Sequence, residues 1–209
     1  MTAKIIACGI YRYYLEKLDL SLDITWIDVR GHDKPKLLSQ TIQGVIDEVP
    51  SDFDRIIVLY GLCGGTVCRI HANKIPVYVI RTHDCLAVLL GSEKRRIQLF
   101  SDRPSAGWSC IELEKNPHTS YEKYDQETQE YLRKYLDPPK DIYITFHLPQ
   151  EESYEKKYSE IITGDLNWLT KILMGDVSDM IELCENEQIR EDIDQIMVKE
   201  KTNGNLTAN

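Results

Sequence analysis

The chain lacks any apolar run that approaches the length of a membrane-spanning helix, which needs about 20 consecutive apolar residues. It also lacks a charged-then-apolar leader with a cleavage site before its first strand pattern. We therefore expect a cytoplasmic protein with no membrane partner. Basic residues are scarce as well, because 25 Lys and Arg stand against 34 Asp and Glu and leave a formal net charge of −9. Nucleic-acid binding needs clustered cations that neutralise phosphates, so the composition argues against that function.

Several short functional motifs are also missing. The sequence has no CxxC pair, which argues against a zinc ribbon and a thioredoxin-type redox site. It has neither GxGxxG nor GxxxxGKS/T, so nucleotide binding has only weak support, and GxSxG is absent. The six cysteines are dispersed, and we expect reduced thiols rather than a disulfide framework in a cytoplasmic chain. They are Cys8, Cys63, Cys68, Cys85, Cys110 and Cys184.

Short apolar runs alternate with segments of helical periodicity along the first half of the chain. Strands are predicted over residues 4–8, 24–29, 55–60, 76–81 and 142–146. Amphipathic helices are predicted between the first four of them, including one from Pro35 to about Val49. This alternation predicts an α/β fold, a Rossmann-like doubly wound sheet of about five mostly parallel strands with additional C-terminal helices. Ligands of such sheets bind beyond the carboxyl ends of the strands.

The second half of the chain predicts a less regular organisation. Residues 101–119 carry two prolines and a glycine and are a candidate lid. Helical patterns cover residues 151–162, 166–174 and 181–198. We expect one α/β domain over residues 1–198 with a helical C-terminal extension, followed by a polar, disordered tail over residues 199–209.

Three predicted strands end in, or are closely followed by, cysteine or histidine residues that can bind a metal ion. Cys8 ends the first, Cys63 lies in a glycine-rich turn after the third, and His83 and Cys85 follow the fourth. Thiolate and imidazole ligands suit zinc, with an iron–sulfur centre and copper(I) as alternatives. The ligand set predicted for one metal ion is therefore Cys8, Cys63, His83 and Cys85. A helix start after the glycine turn would favour the thiolate form of Cys63.

The alternative is that these cysteines simply pack as small hydrophobic residues, which buried free cysteine often does. The coincidence of soft ligands at three strand ends favours a site. Cys68 and Cys184 are interpreted as packing residues, and Cys110 lies in the candidate lid.

The glycine turn has a second interpretation as a cradle for an anion or cofactor. Gly61, Gly64 and Gly65 allow close backbone approach, and His32 follows the second strand at the same predicted edge. These residues are the candidate cofactor-binding set. The alternative is a tight turn that packs strand against helix.

The order of these motifs resembles the prokaryotic domain-of-unknown-function 1638 family. The matching segments are Cys8, HDKP at 32–35, YGLCG at 60–64, HDC at 83–85 and LLGS at 89–92. The family carries a Thr-Pro-Gly-Trp type segment where this chain has Ser105-Ala106-Gly107-Trp108. The resemblance implies association with corrinoid or methyltransferase proteins as partners.

Two functions follow as hypotheses. The first is a metal-thiolate enzyme or enzyme component linked to corrinoid-dependent methyl transfer, because zinc keeps sulfur deprotonated near neutral pH. The second is a non-catalytic accessory protein that stores, senses or delivers a metal or cofactor. A weaker third is a metal-free small-molecule binder. An open coordination position beside a roomy pocket would favour the enzyme, and a sealed four-ligand site the accessory role.

Overall fold

The computed structural model describes residues 2–18, 20–101, 103, 106–116, 125–136 and 140–183. The strands of this part of the chain are β1 (Ala3–Cys8), β2 (Asp23–Ile27), β3 (Arg55–Leu59), β4 (Val77–Ile80), β5 (Gly107–Ser109), β6 (Lys140–Thr145), β7 (Glu160–Thr163) and β8 (Met180–Leu183). The α-helices are α1 (Arg12–Leu15), α2 (Pro35–Glu48), α3 (Cys85–Leu90), α4 (Glu93–Ser101), α5 (Ile111–Lys115), α6 (Gln126–Leu136), α7 (Glu152–Glu155) and α8 (Asn167–Leu173).

The main sheet has five strands in the order β2-β1-β3-β4-β8, and the first four run parallel. Its central strands read as continuous apolar runs because both faces of the sheet are covered. Ile5, Ile6 and Ala7 of β1 are fully buried, as are Ile57 and Val58 of β3. The α/β, Rossmann-like fold predicted from the sequence is therefore confirmed.

The fifth strand of this sheet is a correction to the prediction. β8 pairs antiparallel with β4, and Val79 lies opposite Ile181. The sequence pattern predicts a helix over residues 181–198, but residues 180–183 form a strand. Residues 184–198 of that predicted helix and the tail 199–209 lie outside the described part of the chain.

The predicted strand over 142–146 exists, but it belongs to a second sheet. This sheet has three parallel strands in the order β5-β6-β7. β5 and α5 lie within the candidate lid, so that region is structured at 107–115. The predicted helix over 151–162 is likewise wrong at its end, because Glu160–Thr163 is β7.

A buried glutamate side chain joins the segment after β6 to α1. Glu151 is fully buried and accepts hydrogen bonds from the backbone N–H groups of Phe146 (3.0 Å) and Leu148 (2.9 Å). The hydroxyl of Tyr14, next to β1, donates to the same side chain at 3.3 Å. Buried charges persist where hydrogen bonds compensate their lost hydration, so this residue fixes the chain that leaves β6.

α2 and α3 differ in how they are buried. α2 begins at Pro35 and buries one stripe, with Leu38, Ile42 and Ile46 facing the core. α3 buries every residue from Leu86 to Leu90, which fits its uniformly apolar sequence. No helix in the described ranges is both long and apolar enough to span a bilayer.

Candidate functional site

The three cysteines predicted at strand ends meet at one edge of the main sheet. Cys8 is the last residue of β1, Cys63 begins a 3-10 turn after β3, and Cys85 is the first residue of α3. Because β1, β3 and β4 are neighbours and parallel, their carboxyl ends lie side by side. All three residues line a single cavity of about 450 Å³. Their thiols are close enough to raise one another's pKa by electrostatic interaction.

Backbone hydrogen bonds hold the turn that carries Cys63 against the loop that carries Cys85. Leu62 N–H donates to the carbonyl of Thr82 at 2.9 Å, and Cys63 N–H donates to the carbonyl of His83 at 3.2 Å. Cys63 has a φ of 39°, a conformation few non-glycine residues adopt. The cysteine is therefore placed by its main chain rather than by side-chain packing alone.

Gly61 makes this close approach possible. A Cβ atom at Gly61 would lie 2.6 Å from the Cα atom of Asp84 and 2.7 Å from its carbonyl carbon. Such contacts do not occur between real side chains and backbone, so only glycine fits without displacement. The glycine turn thus brings two strand ends together.

Asp84 is the N-cap residue of α3 and lines the cavity. Its Oδ1 accepts a hydrogen bond from Ala87 N–H at 3.1 Å, the expected N-cap contact. Its Oδ2 lies 3.6 Å from Arg96 Nη1. Burial raises the pKa of Asp84, although the Arg96 guanidinium opposes that shift.

The protonation state expected for Cys63 is wrong. Burial raises its pKa to about 12, and burial raises that of Cys8 to about 11. Burial also raises the pKa of Cys85 well above its usual range. The turn after β3 is two short 3-10 helices, Cys63–Gly65 and Val67–Arg69, so no long helix dipole offsets desolvation. Burial therefore favours the neutral thiol at all three positions in the metal-free chain.

Two tyrosines that sequence reasoning missed adjoin the thiols. Tyr60 lines the cavity beside Cys8, and Tyr11 is fully buried with its hydroxyl near Cys85. The Tyr60 hydroxyl lies against the Cys8 thiol, whereas the Tyr11 hydroxyl has no hydrogen-bond partner among the described residues. The sequence signal was weak, because each tyrosine sits in an apolar stretch that reads as core.

The rest of the cavity is mainly apolar with a polar rim. His32 Nδ1 lies 2.7 Å from the Val29 carbonyl, and the Arg30 guanidinium pairs with Asp28 at 2.8 Å. Trp108 of β5 forms part of the wall, so the candidate lid does reach the site. The other lining residues are Ile10, Leu113 and Asn116.

Comparison with known proteins supplies the family. A family model described as "Protein of unknown function (DUF1638)" matches residues 26–184. The chain belongs to this family. The matched range contains Cys63 and Cys85 and begins after Cys8. No curated protein and no solved structure matches the chain.

In this DUF1638 protein the other predicted site residues fall into two groups. His32 lines the cavity, whereas the residues predicted beside it as a cofactor cradle, Gly61, Gly64 and Gly65, are not among its lining residues. His83 does not line the cavity either. Its carbonyl holds Cys63, and its N–H donates to Glu93 Oε2 at 3.1 Å. The role of His83 as a metal ligand stays a prediction.

The other described cysteines of the DUF1638 chain, Cys68 and Cys110, pack in the protein interior. Cys68 is partly buried against the core and does not line the cavity. Cys110 is fully buried at the start of α5, close to Tyr14 and within electrostatic reach of Cys85. Cys184 lies outside the described residues.

No group of three His, Cys, Asp or Glu side chains in the described ranges has the spacing of a metal site. Neutral thiols gain nothing from close mutual approach, so the metal-free arrangement need not match the bound one. The donor set itself, three thiols that line one cavity, is one that suits a thiophilic ion.

Proposed function

We propose that this protein is a metal-thiolate enzyme or enzyme component in which Cys8, Cys63 and Cys85 bind a thiophilic ion, with zinc favoured. The observation that carries the proposal is the convergence of three thiols on one cavity. Three cysteine ligands would leave a fourth coordination position for a substrate. A catalytic zinc site has this three-ligand arrangement.

The chain must release protons before it binds the ion. Burial keeps Cys8 and Cys63 protonated in the metal-free state, with pKa values of about 11 and 12. Metal binding to such a site requires thiolates and is coupled to proton release. It also requires the side chains to rotate toward a common centre, because a zinc–sulfur bond is about 2.3 Å long. The backbone bonds between the two loops keep Cys63 and Cys85 adjacent during that change.

The reaction that fits this site is methyl transfer to a soft nucleophile. A zinc ion supplies a way to hold a substrate thiol as thiolate at neutral pH. The cavity residues Val29, Trp108 and Leu113 would exclude water from the reacting groups. Corrinoid or methyltransferase proteins are the partners this reaction implies.

A non-catalytic accessory role is the second candidate. Cys8 is only 6% exposed, and a sulfur that substrate cannot reach suits storage or delivery of a metal. The cavity of about 450 Å³ next to it favours the enzyme, because a sealed structural site needs no such space.

Anaerobic purification followed by elemental analysis tests the metal site. Wild-type protein should carry about one zinc per chain, and Cys63→Ser should lose most of it. Cys68→Ser is the matched control, since the same atom is replaced five positions away, outside the cavity. Equal metal content in all three proteins, or none in the wild type after zinc supplementation, would contradict the ligand assignment.

A second assay separates the enzyme from the accessory protein. Zinc-loaded protein is incubated anaerobically with methylcobalamin and a small thiol. Transfer of a methyl cation to the thiolate leaves both electrons of the cobalt–carbon bond on cobalt, so cob(I)alamin absorbance reports the reaction. A rate that exceeds the protein-free rate and is lost in Cys63→Ser supports the enzyme, whereas zinc binding without acceleration supports the accessory role.

A further inference from the structure

The cavity that contains Cys8, Cys63 and Cys85 is lined mainly by uncharged side chains. Its other apolar and aromatic lining residues are Ile10, Val29, Tyr60, Trp108 and Leu113. Burial favours the neutral thiol at the three cysteines, so in the metal-free chain their sulfurs present soft, uncharged surface. The cavity holds about 450 Å³, whereas an apolar cavity of about 150 Å³ is enough to bind benzene. It therefore has room for a substituted ring.

The two charged residues of the lining are already engaged with neighbours. The Arg30 guanidinium donates from Nε and Nη2 to the two carboxylate oxygens of Asp28, at 3.1 and 2.8 Å. The Asp84 carboxylate accepts the Ala87 N–H at 3.1 Å and lies 3.6 Å from the Arg96 guanidinium. A charged ligand would have to compete with these partners for either residue.

The polar groups of the lining are also bonded within the chain. His32 Nδ1 lies 2.7 Å from the Val29 carbonyl, and a carbonyl oxygen can only accept, so this nitrogen donates. The Asn116 amide nitrogen donates to the carbonyl and to Oε2 of Glu112, at 3.1 and 3.2 Å. These bonds hold the polar rim in place around the apolar wall.

We propose that the ligand of this cavity is a small, uncharged, mainly apolar molecule about the size of a substituted aromatic ring. An apolar body gains free energy by leaving water, whereas an ionised group would lose its hydration beside charges that are already paired. For the proposed methyl transfer, the acceptor is then an uncharged alkyl or aryl thiol. Naming this substrate class rests on the proposed function, but binding itself requires no metal.

The test uses the full-length, metal-free chain under anaerobic, reducing conditions. The probes are 4-fluorotoluene, 4-fluorobenzoate and 4-fluorobenzylamine, which share a ring and are neutral, anionic and cationic at neutral pH. Titrations followed by fluorine NMR give a Kd for each probe. We expect 4-fluorotoluene to bind at least about 10-fold more tightly than either charged probe, because only the charged groups must lose hydration without a new partner.

Three variants locate the binding. Trp108→Ala removes the largest apolar side chain of the wall and should weaken 4-fluorotoluene binding about 10-fold or more. Leu113→Ala is a smaller change in the same wall and should weaken binding several-fold. Trp168→Ala is the matched control, because Trp168 is half-buried like Trp108 but lies in α8 and does not line this cavity. Cooperative urea unfolding verifies that each variant is folded.

Preference for the neutral probe, weakened by Trp108→Ala and Leu113→Ala and kept in Trp168→Ala, supports the inference. No binding of 4-fluorotoluene, or equal affinity for a charged probe, overturns it. Wild-type affinity in the folded wall variants, or equal weakening in Trp168→Ala, overturns it as well. Each of these failures leaves the zinc analysis above unaffected. Conversely, selective binding of 4-fluorotoluene to a protein that takes up no zinc would refute the metal-thiolate function while the ligand class of the cavity stands.

Discussion

Replacing Gly61 by alanine tests whether the two cysteine-bearing loops must touch. The new Cβ would lie 2.6 Å from the Cα of Asp84, whereas ordinary carbon–carbon contacts are about 3.5–4.0 Å. The loops must therefore part by about 1 Å. Overpacking of this kind costs about 1–3 kcal/mol. The displacement also strains the bonds from Leu62 and Cys63 to the opposite loop, each worth about 0.5–1.5 kcal/mol.

We expect Gly61→Ala to lower the free energy of unfolding by about 3 kcal/mol, on the sum of these effects. Anaerobic urea denaturation of the metal-free protein measures it. Gly44→Ala is the matched control, because Gly44 lies in α2 with open space where a Cβ would go. That substitution should raise stability by about 1 kcal/mol, the helix-propensity difference between the two residues. If Gly61→Ala unfolds at the wild-type urea concentration, the close approach is not needed and the reasoning fails.

Two further predictions concern buried groups. Metal-free protein should lose stability as pH rises above 9.0, where the thiols of the unfolded chain ionise, because burial holds the pKa of Cys8 near about 11 and that of Cys63 near about 12. Urea midpoints should therefore fall as pH is raised through that window, and a flat profile would contradict the burial of these thiols. Glu151→Ala should cost about 3 kcal/mol or more in urea denaturation, because one buried and two partly buried donors lose their shared acceptor. Its exposed neighbour is the control: Glu152→Ala should leave the midpoint unchanged, and an equal loss in both would refute the role of Glu151.

The strands of the main sheet could be predicted because each has a recognisable local sequence pattern. Residues 55–59 are a short apolar run between turn signals, and the parallel strand that they form needs apolar residues on both faces. The meeting of Cys8, Cys63 and Cys85 followed from the same reasoning, since parallel strands end at one edge. Strand order and depth of burial did not follow, because they depend on contacts between distant segments.

The errors arose where short strands lie beside polar or helical patterns. β7 contains Ile161 and Ile162, but the polar residues before them extended a helical pattern across the boundary. β8 is four residues long, and its antiparallel pairing with β4 has no local signal. Thiol protonation was misjudged because desolvation depends on the packed surroundings, which sequence spacing does not reveal. Tyr11 and Tyr60 were missed for the same reason, since the neighbours of a buried hydroxyl are known only from the fold.

The hydrogen bonds from Leu62 and Cys63 to the loop after β4 fix the position of Cys63 relative to Cys85. The third cysteine of the cavity, Cys8, is held separately. Cys63 and Cys85 share a main-chain frame, whereas Cys8 stands on β1 without such a link to either loop among the described residues. Substitutions in the cavity wall can therefore reshape the space available to a ligand while the paired cysteines keep their spacing.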